Sequence, residues 1–221
     1  MSRSFRQTLR SLKQDVSGLA MIEFAFAAPL VLGMGMLGTD TASLVIAHLQ
    51  VSQIAMQVAD NASRVGEEDT LAARRVYERD IIDTFLGAEK LGENISIYQQ
   101  GRVIISSLQQ NATGGQWIAW QRCRGAKNYN SSYGVQGAGA TGNTFPGMGV
   151  PGRYITASVG TAVMFVEVAY DFRSITPMNL FNNQQIVYTA AFNVRDNRDL
   201  TQLYTGGPVA RCTTYSANRP T

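Results

Sequence analysis

Residues 19–39 constrain this chain more than any other part of it. They read LAMIEFAFAAPLVLGMGMLGT and hold one charged side chain, Glu23, in 21 positions. At about 1.5 Å per helical residue, such a segment extends for about 31 Å, which matches the hydrocarbon core of a bilayer. The segment therefore predicts a helix that crosses a membrane, with the rest of the chain attached to one end of it.

The residues before this segment predict its orientation. Basic residues close to a single span hold that side in the cytoplasm, so we expect residues beyond about 40 to face the outside. Residues 1–18 carry the whole formal net charge of +3, and the remaining 15 basic residues balance 15 acidic ones. The high isoelectric point therefore reflects the membrane topology of the chain. It does not indicate a nucleic-acid partner. The charged residues of this leader are Arg3, Arg6, Arg10, Lys13 and Asp15.

A secretory signal peptide is an alternative interpretation, with Ala25-Phe26-Ala27 as its small-residue cleavage motif. Three features disfavour it. Glu23 interrupts the apolar region, Pro29 crowds a cut near Ala27, and the apolar run continues well beyond that motif. The membrane-anchored interpretation is therefore favoured.

Glu23 needs an explanation, because a charge at the centre of a membrane span costs about 2.5–3.5 kcal/mol on insertion scales. It lies only four residues inside the apolar segment, so its side chain can reach the headgroups. A second interpretation involves Gly18. A cut after Gly18 would give Leu19 a free α-ammonium, one helical turn from Glu23 on the same face. The carboxylate would then pair with that amine, or with the amine of a neighbouring subunit.

These residues resemble a known family. A basic leader, Gly18, and then LAMIEF with Glu23 and Phe24 at the fifth and sixth positions are similar to the processing site of class III signal peptides. With the Ala-rich AFAAPLVLG that follows, they resemble TadE-like pseudopilins of the tight-adherence (Tad, or Flp-type) pilus. A weaker resemblance covers VEVAYDFRSITPMNLF and YTAAFNVR near the C-terminus. Residues 90–160 resemble nothing in that family.

The resemblance implies cleavage by a membrane prepilin peptidase between Gly18 and Leu19, and a part for Glu23 and Phe24 in processing and assembly. It implies a bacterial inner-membrane protein with a cytoplasmic N-terminus and a periplasmic or extracellular domain. The implied partners are the peptidase, other pilins and pseudopilins, the pilus assembly platform and the membrane. Larger family members bind metal through an Asp-x-Ser-x-Ser cluster, which this sequence lacks.

The helix is predicted to continue beyond the apolar segment, over residues 19–65. Pro29 removes one helical hydrogen bond and predicts a bend. Gly38 and Ala42 are spaced for close approach of another helix. From residue 41 onward, apolar residues recur every three or four positions, which predicts a buried stripe. That stripe consists of Leu44, Ala47, Val51, Ile54, Val58, Ala62 and Val65.

Residues 66–221 are predicted to form an α+β domain with a pilin-like plan, in which the long helix packs on an antiparallel sheet. We expect a second helix over 70–86 and a glycine-rich loop over 124–153, which contains eight glycines. Aromatic residues in that loop either anchor it or bind a partner. Strands are expected at 94–99, 102–108, 116–122, 161–173 and 185–194, the first two as a hairpin.

Cys123 and Cys212 are both predicted to lie outside the membrane, where a disulfide is the simplest arrangement. In a reducing compartment they would instead be two free thiols. No C-x-x-C motif or histidine partner suggests redox or nucleophilic chemistry.

The sequence contains no catalytic constellation, and we predict no enzymatic activity, no cofactor and no metal. His48 is the only histidine, and a lone histidine with no cysteine nearby is weak evidence for a metal site. The predicted function is that of a minor pseudopilin. Two alternatives remain open: an unprocessed anchored binding module that displays residues 124–153, and a membrane-tethered enzyme with a pocket of convergent polar side chains.

Overall fold

The computed structural model describes residues 17–66 and 73–220. Within them, the long helix α1 (Ser17–Arg64) is followed by α2 (Glu78–Leu91), a 3-10 turn (Glu93–Ile95) and one helical turn (Ile97–Gln100). The predicted α+β class is confirmed. The strands are β1 (Gly101–Gln110), β2 (Gln116–Arg124), β3 (Met148–Val150), β4 (Arg153–Ile155), β5 (Ala162–Asp171) and β6 (Gln185–Asn193).

Four of the strands form an antiparallel sheet in the order β2-β1-β5-β6, and β3 pairs with β4 in a separate hairpin. The central strands β1 and β5 are buried along almost their whole length. Because both faces of the sheet are covered, β5 is apolar at nearly every position instead of alternating. In β1 the buried polar residues Arg102, Ser106 and Gln109 are hydrogen-bonded.

The second half of α1 covers one face of the sheet. The predicted stripe is confirmed: Val51, Ile54 and Val58 are at most 1 % exposed, and Leu44 and Val65 pack at its ends. Small residues of α1 between these anchors let the helix lie close to β5 and β6. They are Ala47, Ala55, Ala59 and Ala62.

The glycine-rich loop covers the opposite face. The ring of Tyr133 meets Phe165 of β5 edge to face, with ring centroids 5.0 Å apart. Phe145 packs on the same cluster. Glu167 of β5 accepts hydrogen bonds from the Ser131 hydroxyl and from the backbone N–H of Ser132. The loop is therefore anchored by its aromatic and serine residues, the first of the two roles weighed for it from the sequence.

The predicted strand over 94–99 is wrong. Ser96 adopts a left-handed backbone conformation (φ 51°), and Ile97 and Tyr98 are both buried although they are neighbours. A strand would place one of them on each face, whereas a helical turn directs both inward. The Tyr98 hydroxyl donates to the carbonyl of Phe85 on α2, which fixes this turn. The hairpin partner of β1 is therefore β2.

The predicted helix over 70–86 is also displaced. Its first residues lie outside the described residues, and α2 begins only at Glu78. The segment before α2 is extended because its backbone pairs with the C-terminal part of the chain. Arg74 exchanges backbone hydrogen bonds with the segment at Asp199, and Val76 accepts one from Tyr204. These long-range bonds occupy groups that a local helix would need.

The C-terminal segment is fixed by a disulfide and by a buried arginine. Cys123 and Cys212 are joined with their Cα atoms 4.7 Å apart, which confirms the predicted disulfide. Arg102, 1 % exposed, donates to the carbonyls of Gly125, Cys212 and Thr214. A guanidinium that satisfies three carbonyls holds a segment with little apolar content in place.

Arg198 closes the C-terminal end of α1. The last carbonyls of a helix have no partner within it and carry partial negative charge. The guanidinium of Arg198, 7 % exposed, donates to two of them, those of Ala62 and Ser63, and to the carbonyl of Val65, the residue after the helix. Burial lowers the pKa of Arg198 to about 10, so it remains charged at neutral pH.

Replacing Arg198 with leucine is expected to destabilise the domain by about 2–4 kcal/mol, because three buried carbonyls lose a charged donor. The matched control is Arg195→Ala, which removes an exposed ion pair to Asp60 (3.4 Å) and should cost less than about 1 kcal/mol. The measurement is urea unfolding of the full chain in detergent. Equal losses of unfolding free energy in the two variants would contradict the assignment of Arg198 as the donor that closes the C-terminal end of α1.

Glu167→Gln is expected to change how stability depends on pH. Burial raises the pKa of Glu167 above that of an unfolded glutamate, so the folded chain holds this proton more tightly. Its stabilising contribution is therefore present below the unfolded value of 4.5 and is lost as pH rises through the folded value. The unfolding free energy of wild type minus that of Glu167→Gln should fall from pH 4 towards neutrality. A difference that rises or stays flat with pH would contradict this expectation, and Glu93→Gln, at an exposed acidic position, is the control.

Candidate assembly surface on the long helix

The first half of α1 stands away from the rest of the described structure. Among the described helices, α1 is the one long and apolar enough to cross a membrane, and its most apolar window is unburied. Phe24, Phe26 and Met34 are 71 %, 75 % and 67 % exposed. An apolar surface of this extent is not stable in water, so lipid or other helices must cover it.

The predicted processing residues lie at the start of this free half. Gly18 and Leu19 are in the first turn of α1, and Glu23 is exposed one turn further along the same side. Phe24 is exposed beside it. The arrangement is compatible with a pairing between Glu23 and an amine at residue 19, and the processing itself stays a prediction. The basic residues of the leader, with Asp15, lie outside the described residues.

The predicted bend and packing residues lie in the free half and just beyond its end. Pro29 lies inside α1, which continues as a helix on both sides of it. A Cβ atom added at Gly33, Gly35 or Gly38 would meet nothing within 4 Å, so the helix is open to a neighbour at each of these positions, including the side that carries Gly38. Ala42 is exposed one turn beyond Gly38. The bend and the helix contact stay predictions.

An exposed apolar stripe extends this open side beyond residue 39. Val45, Leu49 and Met56 are 54 %, 58 % and 48 % exposed. Their spacing places them on one face with Gly38 and Ala42, opposite the stripe that packs on the sheet. We call these five residues the outer stripe. The distal part of the outer stripe was not predicted from the sequence, although Val45 and Leu49 lie on the same helical face as Gly38, which was the available signal.

Asp40 marks the junction between the two halves of α1. It is fully buried, and its carboxylate accepts hydrogen bonds from the backbone N–H groups of Ile175 and Thr176 and from the Thr176 hydroxyl. In the sequence, Asp40 directly follows the apolar run of residues 19–39. In the structure, Asp40 also joins α1 to the turn between β5 and β6.

His48 lies near this junction and contacts the sheet. Its Nδ1 is 3.3 Å from the hydroxyl of Tyr188, and the two rings meet edge to face. Within residues 17–66 and 73–220, no group of three or more His, Cys, Asp or Glu side chains is placed to hold a metal ion. The position of His48 is accounted for by its contact with Tyr188 on β6.

Comparison of the chain with models of protein families, with curated proteins and with solved structures finds no match in any of the three. The case for a function therefore depends on the residues and on their arrangement.

Leu49→Glu is expected to weaken lateral association of the chain in its native membrane about tenfold, equivalent to about 1.4 kcal/mol, because it places a charge in an apolar contact. The control is Gln57→Glu, an exposed position of the same helix away from the outer stripe. The readout is the yield of chemically cross-linked complexes. Equal yields for the two variants would mean that the outer stripe is not a contact surface.

Proposed function

We propose that this protein is a minor pseudopilin of the TadE-like kind, a structural or assembly component of a Flp-type (Tad) pilus. In this proposal a prepilin peptidase removes residues 1–18, and the processed helix then associates with other pilin-type helices. The protein acts as a packing unit, and the chemistry is done on it by the peptidase.

One observation carries the proposal: a single unbroken helix, α1, has a free apolar first half and a second half that forms the core of the domain. An ordinary membrane anchor needs no rigid connection to its domain. Here the apolar segment continues into the packed segment within one helix, and a hydrogen bond to Asp40 fixes the junction between them. This supports the pilin-like plan, in which a rigid helix transmits position from the membrane to the domain.

The outer stripe supports lateral assembly. Small residues at Gly38, in the last turn of the span, and at Ala42, just beyond it, permit close approach at the membrane boundary, and within the membrane packing and not hydrophobicity drives association. Val45, Leu49 and Met56 continue the contact outside it, where burying apolar area is favourable. A surface that is apolar on both sides of the membrane boundary suits a neighbouring helix of similar length.

Glu23 supports the processing step. After a cut at Gly18, the new α-ammonium of Leu19 and the Glu23 carboxylate would neutralise each other in a low-dielectric bundle. The uncleaved chain has an amide at that position and no such partner. Under this proposal the protein is a single-pass protein of the bacterial inner membrane, with its domain on the outer side, where the Cys123–Cys212 disulfide is stable.

Glu23→Ala, introduced into the native cell, is expected to lower the amount of chain recovered with other pilins at least about tenfold, because an unpaired amine is left inside the bundle. Glu93→Ala, an exposed acidic position on the domain, is the control and should have no effect. The measurement is quantitative recovery of the tagged chain in cross-linked pilus complexes. An unprocessed binding module predicts normal recovery for both variants.

A further inference from the structure

The turn between β5 and β6 has an unusual surface. From Ser174 to Gln184 the chain contains no charged residue. Its base is closed by backbone hydrogen bonds between Phe172 and residues 183 and 184. Three large apolar side chains project from the turn into solvent: Ile175, Met178 and Leu180, which are 68 %, 44 % and 51 % exposed. We call these three residues the apolar tip.

The apolar tip lies at the membrane end of the domain. His48 of α1 lies beside Tyr188, and Asp60 beside Arg195, so β6 runs along α1 in the same direction. The start of β6, and the turn before it, are therefore at the end of the sheet nearest to the apolar half of α1. The bonds from Ile175 and Thr176 to Asp40 fix the turn one residue beyond that half.

We propose that the apolar tip inserts into the outer-leaflet interface of the bilayer and gives the domain a second membrane contact beside α1. The inference rests on the transmembrane assignment of residues 19–39, which it shares with the proposed function. Exposed apolar side chains level with the end of a span lie at the depth where interfacial insertion buries them. The absence of charge in the turn removes the main cost of entering that region.

The residues around the tip fit a lipid surface. Arg173, exposed at the base of the turn, lies where a headgroup phosphate would meet it, while its Nε donates to Gln100. The carboxylate of Asp40 is buried and accepts three hydrogen bonds from the turn, so it does not contact the lipid surface. Asn179 holds a left-handed conformation (φ 51°) and Pro177 fixes its own φ, so the turn is shaped before it meets the membrane.

A second contact would restrict how the domain moves relative to the bilayer. A single helix through a membrane is free to rotate about its axis, whereas a second point of attachment fixes that rotation. The outer stripe would then be presented in one orientation to incoming subunits. In this way the tip would reduce the orientational search that precedes helix association.

The test uses variants with one added cysteine, labelled with an environment-sensitive fluorophore, with the native Cys123–Cys212 disulfide left intact. The test positions are Met178→Cys and Leu180→Cys, two variants so that one can replace the other if folding is impaired. The control is Val159→Cys, which is 81 % exposed and precedes β5 at the opposite end of the sheet. Met34→Cys reports the span itself. The full chain is reconstituted in phospholipid vesicles at low density, so that neighbouring copies are rare.

Labels at 178 and 180 should be quenched by lipids brominated near the headgroup, and iodide in the water should quench them about fivefold less than a label at 159. Equal iodide quenching at 159, 178 and 180 would overturn the inference. Protection that appears only at high chain density would also overturn it, because the occupant would then be a neighbouring subunit.

The label at 34 separates this inference from the proposed function. Quenching of that label by lipids brominated near the bilayer centre, together with exposed labels at 178 and 180, would leave the span intact and reject only the tip insertion. Absence of deep quenching at 34 would reject the span, and with it both the tip insertion and the pseudopilin proposal.

Discussion

The contact between the second half of α1 and the four-stranded sheet is the interaction on which the rest of the structure depends. Ala47, Val51, Ile54 and Val58 bury one side of the helix against β5 and β6, and nothing else in the described chain covers that face of the sheet to the same extent. Because the helix is unbroken from Ser17 to Arg64, this packing also fixes the direction in which the apolar first half leaves the domain.

The two ends of the packed segment are secured by polar groups that apolar packing alone would not position. At one end Asp40 accepts three hydrogen bonds from the turn after β5, and at the other Arg198 donates to the final carbonyls of α1. Both side chains are buried and paired, so each would be costly to leave unpaired. These two groups fix the position of the helix along its axis, and the apolar stripe fixes its rotation about that axis.

The sequence was sufficient for features that depend on local period. The α1 stripe, the strands β5 and β6 and the apolar membrane-length segment follow from spacing that one helix face or one strand imposes. The sequence was insufficient where contacts with distant residues determine the local structure. The extended chain before α2 depends on pairing with residues near Tyr204, and the helical turn at Ile97 depends on its packing and on a hydrogen bond from Tyr98 to α2. The role of Asp40 likewise depends on a turn 135 residues away.

The central claim is that the chain is cut after Gly18, and the most direct measurement is the N-terminal sequence and intact mass of the protein recovered from its own membranes. The account predicts a chain that starts at Leu19, with the free amine that Glu23 requires. A chain that keeps residues 1–18 would contradict it and leave an anchored exterior domain. A start near Pro29 would also contradict it, because residues 19–39 would then be a secretory signal and the domain would have no anchor.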